Sequence, residues 1–161
     1  MSAIAGAASM RAIREAVTEA VSAIRARDGE QFEIARHRLA SLDQERLRLV
    51  QGSMVRELLE ELHPSGLSGA DAQQVLERCS QAAGSWLPAA DAMIMVTVLM
   101  GALGAQDPDQ AAPTDRSEIA AHGCLLIEDL LTARGEASGG LERYLSGAFA
   151  EIERAETMEL P

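Results

Sequence analysis

The chain is 161 residues long, carries a formal net charge of −11, contains neither lysine nor asparagine, and is only 2% aromatic. One domain of this size buries about two thirds of the surface its unfolded form exposes, so it needs no disulfide or metal to fold. Its core has to be built from Ala, Leu, Val, Ile and the seven Met, the negative field disfavours nucleic-acid phosphates, and without lysine neither Schiff-base chemistry nor a P-loop is available.

Met10, Ile13, Val17, Ala20 and Ile24 recur at helical spacing and predict a first helix ending near Asp28-Gly29. The apolar patch Ala3 to Ala8 has no positive region before it, because Arg11 follows it, so a signal peptide is not expected. From Glu30 to Leu62 the chain runs thirty-three residues with no proline and one glycine, Gly52. A continuous helix there would reach roughly 50 Å, against a diameter of about 40 Å for a domain of this length. Its apolar stripe passes through Phe32, Ala35, Leu39 and Leu42, jumps five residues to Leu47, and resumes at Val50, Met54, Leu58 and Leu62. Either the helix breaks, with Gly52-Ser53 the expected place, or it projects and buries its stripe against another subunit, with Leu39, Leu42 and Leu49 as the expected interface residues.

His63-Pro64-Ser65-Gly66 ends this segment. Ser68 and Asp71 form a capping-box pattern ahead of a third helix with Val75, Leu76, Cys79 and Ala82 inward, closing at Gly84. Pro88 is expected in the first turn of a fourth helix, whose near-continuous apolar run from Ala89 to Ala105 marks it as the buried centre of the fold. With seventeen residues, Asp91 and Thr97 inside it, and no basic flank, that run is too short for a membrane span, which takes about 20 residues. Trp86, just before it, is either an interface residue or a cover over the open end of the core.

Gln106 to Thr114 is a Pro/Asp loop, a fifth helix follows with Ile119, Leu126, Leu130 and Ala133 on one face, and Gly135 to Gly140 is a second loop. A sixth helix carries Leu141, Tyr144, Leu145, Ala148, Ile152 and Ala155 and fades between Met158 and Pro161. No internal repeat and no hairpin signal occurs. The expected fold is an all-α bundle of about six helices in a single domain, residues 1–161. A long N-terminal helical hairpin or arm, residues 1–62, packs on an acidic four-helix globule, residues 63–161. Residues 1–62 are near neutral at −1 and residues 63–161 carry −10. The arginine pairs Arg25/Arg27, Arg36/Arg38 and Arg46/Arg48 are therefore placed either to face the acidic helices, within one subunit or across two, or to form a solvated surface.

Four acids, Asp107, Asp109, Asp115 and Glu118, fall at positions one, three, nine and twelve of a calcium-loop pattern. Ala112 stands where that loop needs glycine and two prolines stiffen it, so the resemblance to an EF-hand is partial; the other reading is a solvated loop in which Asp115 or Ser117 caps the next helix. Glu33/His37, Glu60/His63 and Glu118/His122 have carboxylate-histidine spacing on a helix. Only Glu60/His63 matches the Glu-x-x-His of di-iron bundles, and it sits at a helix terminus where a histidine cation suits the dipole without metal. Cys79 and Cys124 match no metal or redox spacing and suit small core sites. Cys124 lies two residues from His122, on the opposite side of a helix, so the two cannot form a nucleophile-base pair. Met93, Met95 and Met100 either line an adaptable apolar pocket or fill the core.

These features point to a cytoplasmic, non-catalytic bundle acting through protein association. The expected partner is a second copy, or otherwise another protein, with no nucleic acid, no membrane and no cofactor. A small-ligand or sensory bundle using the methionines is the first alternative. A metal-dependent enzyme or calcium-binding protein is the second.

Overall fold

The computed structural model describes residues 2–105, 115–135 and 140–158, and every regular element among them is a helix. Seven occur in the order α1 (Ser2–Ala26), α2 (Gly29–Ala40), α3 (Gln44–Leu62), α4 (Gly69–Gly84), α5 (Ala92–Ala102), α6 (Arg116–Arg134) and α7 (Gly140–Met158). They pack as a helical bundle.

The seventh helix arises because the thirty-three-residue segment breaks, and it does so at the stripe's phase slip rather than at glycine. Between Leu42 and Leu47 a continuous helix would have turned its apolar face away from the core, so the chain instead stops at Ala40 and restarts at Gln44. The polar residues of the gap hold this corner. The Ser41 hydroxyl donates to the Arg38 carbonyl at 2.7 Å, Asp43 accepts the Arg46 N–H at 3.2 Å, and the Gln44 amide donates to the carbonyls of Leu39 and Leu42 at 2.8 Å each. Gly52 lies inside an unbroken α3. A Cβ there would lie at ordinary contact distance, 4.0 Å, from the Ala102 Cα of α5 and 3.3 Å from the guanidinium of Arg56, one turn on in α3 itself. Both runs of the stripe, Phe32, Ala35 and Leu39 on α2 and Leu47, Val50, Met54 and Leu58 on α3, are buried within the single chain. The over-long helix therefore gives no geometric reason for a second subunit.

The expected centre also moves. The Ala89–Ala105 run contributes α5, which is peripheral, with only Met95, Leu99 and Ala102 buried. Pro88 precedes α5 in a turn, and Asp91 is the real N-cap, accepting the N–H groups of Met93 and Ile94. The central element is α6, buried nearly all round from Ala120 to Leu131 and packed on α1, α2, α3, α4 and α5, while α7 lies on α3 and touches α1. Ala133, expected on its inner face, is exposed. Small residues explain how α6 can be enclosed: Ala120, Ala121, Gly123 and Cys124 let its neighbours come close. The Ser68/Asp71 capping box forms as the sequence predicts.

The first-half arginines cross to second-half acids inside one chain. Arg25 pairs with Glu128 at 2.8 Å, Arg36 with Glu118, Arg46 with Glu156 at 3.1 Å, and Arg56 approaches Glu151 at 3.8 Å. Arg38 instead takes Glu15 and Glu19 of α1.

The tightest packing is where α3 crosses α6. A Cβ on Gly123 would lie 2.7 Å from the Gln51 Oε1, and Gln51 itself is held by bonds from its Nε2 to the Ala120 carbonyl, 2.9 Å, and the Cys124 Sγ, 3.4 Å. Gly123→Ala is expected to cost about 1–3 kcal/mol through overpacking, lowering the melting temperature by about 2–4 °C per kcal/mol. Followed by circular dichroism, a Gly123→Ala/Gln51→Ala double variant should lose less than the two single variants together; strict additivity would remove the contact as the cause.

Candidate functional site

Two of the loop acids, Asp107 and Asp109, lie outside the described residues. The other two are engaged as helix and surface groups. Asp115 caps α6, its Oδ1 accepting the Ser117 N–H at 2.9 Å and the Ser117 hydroxyl at 2.8 Å, bonds that hold its carboxyl below the usual range. Glu118 takes the Arg36 guanidinium. Among the described residues no three His, Cys, Asp or Glu side chains gather to hold a metal ion.

The histidines are placed by backbone. On exposed α2, His37 bonds through Nδ1 to the Glu33 carbonyl at 2.9 Å, and Glu33 pairs with Arg36. His63 ends α3 and faces Asp71 of the capping box at 3.6 Å. His122 is buried: its Nδ1–H donates to the Glu118 carbonyl at 2.7 Å and its Nε2 accepts the Asp91 N–H at 3.0 Å, roles assigned from the partners. With both nitrogens occupied, His122 ties the N-cap of α5 to α6. Cys124 fills a core site beside it, and burial pushes the thiols of Cys79 and Cys124 both up to about 12.

The methionines differ in burial, and none of Met93, Met95 and Met100 lines the cleft between α3, α5 and α6 or the one between α1 and α7. Met95 is fully buried, accepting a 3.5 Å bond from the Ser80 hydroxyl, whereas Met93 is 71% and Met100 36% exposed. Of the four expected interface residues, Leu39 is consumed by the core of its own chain, Leu42 is half-buried against it, and Trp86 packs edge-on against Phe32 with ring centroids 5.7 Å apart. Only Leu49, 44% exposed, faces outward.

What the sequence reading missed is the surface around α5. Its outer face carries Met93, Val96, Met100 and Leu103 at 3-4-3 spacing, while Met95, Leu99 and Ala102 form a separate buried stripe. Two apolar stripes on one helix exceed what a single buried face needs, and that doubling was the available signal. On its other side α5 forms, with α3 and the first turn of α6, a groove of about 580 Å³. Leu49, Val55, Val98 and Ile119 give it apolar walls, Gly52 and Gly101 leave it open, and Arg48, Arg56, Arg116 and Glu45 stand around it. A second, wider cleft of about 860 Å³ between α1 and α7 is lined by Met10, Phe149, Arg11, Arg14, Arg46, Glu153 and Glu156. There the charges largely satisfy one another: Arg14 pairs with Glu142 and stacks 5.0 Å over Phe149, and Arg46 pairs with Glu156.

No protein-family model matches the chain, and neither the curated proteins nor the solved structures compared with it contain a match. Among the described residues no helix is long and apolar enough to cross a membrane.

Two outcomes follow from the ionisable groups that burial perturbs. Burial, then the nearby carboxylates of Glu61, Glu151 and Glu60, push the Glu57 carboxyl above its ordinary value of 4.5, against the pull of Arg143. A folded-state value above the unfolded one means that folding favours the protonated acid, so Glu57 opposes the fold once pH has risen past that value. Glu57→Gln should therefore raise the melting temperature at pH 7, with the gain gone below the unfolded value of 4.5. A loss of stability at pH 7 would contradict this. The two thiols should resist Ellman's reagent at pH 8 in the folded protein and react together on denaturation; rapid native labelling of either would contradict their burial.

Proposed function

We propose that this protein is non-catalytic and works by association, most simply as a homodimer, with the outer face of α5 as the contact. The observation that carries the reading is that the most apolar helix of the chain sits at the surface with Met93, Met100 and Leu103 outward. Exposed apolar side chains gathered on one face of a helix suit an interaction site. Charge favours the same place: from Ala92 to Ala105 no side chain is ionisable, whereas the chain as a whole carries −11, so two copies repel least where α5 meets α5. A reducing, cytoplasmic setting fits the two buried free thiols.

The contact is expected to be modest. An eleven-residue helix is about 16 Å long, less than the roughly 800 Å² per partner of a standard interface requires, so dissociation in the micromolar range is expected. Light scattering on the eluting protein should give twice the 17.1 kDa subunit mass at high concentration and a shift toward monomer on dilution. A Met93→Ser/Met100→Ser/Leu103→Ser variant should weaken the dimer on the order of 100-fold, about 0.5 kcal/mol for each of the six side chains that the two copies lose. A strict monomer at about 100 μM would end the dimer reading.

A further inference from the structure

We infer that the groove between α3, α5 and the first turn of α6 is a binding site for an amphiphilic anion, an aliphatic chain ending in a carboxylate. The centre of the groove is turned from the outer stripe of α5: Val98 lies about 140° and Gly101 about 80° around the helix from Met93, while Thr97, about 40° from it, forms the edge between the two. The groove and the proposed dimer contact are therefore neighbouring surfaces that meet at Thr97, with separate centres. Its volume, about 580 Å³, lies in the range of small-molecule sites. Gly52 and Gly101 line it from the two facing helices.

Charge selects the ligand. The groove is bordered by three guanidiniums and one carboxylate in a chain whose net charge is −11, so it is a basic spot on an acidic molecule. Arg56 is partly committed, its Nη1 donating to the Ala102 carbonyl at 3.0 Å. Arg48 and Arg116 meet no carboxylate among the described residues and are exposed at the rim. Arg116 also sits on the first turn of α6, where the helix dipole adds to the attraction for an anion. Apolar walls with guanidiniums at the edge match a ligand whose body leaves water while its head stays at the surface.

The test uses the full chain and sodium decanoate below its micelle concentration, with decan-1-ol and acetate as probes of body and head alone. Decanoate should bind with a dissociation constant on the order of 10–100 μM, and decanol and acetate at least tenfold more weakly. In amide spectra the Gly52 and Gly101 signals should shift on titration, while in methyl spectra the Leu103 signals of the outer stripe stay still. Arg48→Gln/Arg116→Gln should weaken decanoate about tenfold and leave decanol unchanged, and Thr97→Trp should block both. No shift at either glycine with millimolar decanoate overturns the site, and equal affinity for decanoate and decanol overturns the anion. If the two glycine signals move with protein concentration instead, a second copy fills the groove and the inference fails even though association is upheld. The wild-type titration remains decisive should a variant not fold.

Discussion

The polar groups on α6 have to be matched wherever the helix is enclosed, and that requirement chooses its neighbours. Ser117, His122 and Glu128 are all buried, and a buried polar group left without a partner costs about 1–3 kcal/mol. Ser117 is satisfied by its own cap, Asp115, but the other two need material from elsewhere in the chain. Glu128 takes Arg25 of α1 and the Thr132 hydroxyl, and His122 takes the Asp91 N–H at the head of α5. From the opposite side Gln51 of α3 reaches the α6 carbonyl of Ala120. Hydrophobic burial alone would let α6 slide or rotate among aliphatic neighbours; these bonds set which residue lies against which.

Charge works on a second level, and its members differ in weight. Arg25 and Glu128 are 27% and 9% exposed at the side chain, so this pair is largely removed from water and loss of either partner would strand the other. Arg46 with Glu156 and Arg38 with Glu15 are open to solvent on at least one side, where a pair contributes about 0–1 kcal/mol. The solvent-open pairs therefore do little to hold the bundle together, whereas Arg25–Glu128 contributes to it. The effect of the crossing pairs is to place the near-neutral first half against the acidic second half within one chain, which reduces repulsion among the acids of α6 and α7.

Local patterns carried the helices but not their arrangement. The 3-4 spacings placed α1, α4, α6 and α7, and the Ser68/Asp71 pair announced its capping box, because those features depend on residues three or four apart. The break at Ser41–Asp43 was visible as a phase slip, yet Gly52 drew the expectation, since intrinsic propensity marks glycine as a breaker. Burial of Val50, Gln51, Ser53, Met54 and Val55 on either side of it overrode that propensity. Choosing the central helix from apolar content failed for a related reason. Burial of α6 depends on Arg25, Asp91 and Gln51 supplying partners to its polar groups, and none of these is near it in sequence. The groove was illegible for the same cause, as Gly52, Gly101 and Arg116 come together only once three helices have packed.

That leaves the question of why α5, the most apolar element, is stable at the surface. Met95, Leu99 and Ala102 fasten one face, and polar bonds fix both ends: the Asp91 N–H on His122 at the start, and the Arg56 guanidinium on the Ala102 carbonyl at the finish. A helix held only by hydrophobic contact would roll to bury more of its surface, at about 25 cal/mol for each Å² removed from water. Here the two terminal bonds oppose that rotation, because rolling α5 would leave a buried imidazole nitrogen and a helix-end carbonyl unmatched. The outer stripe and the groove therefore persist as features of the folded chain rather than as space awaiting collapse, and a surface kept apolar against that tendency is suited to receiving a partner.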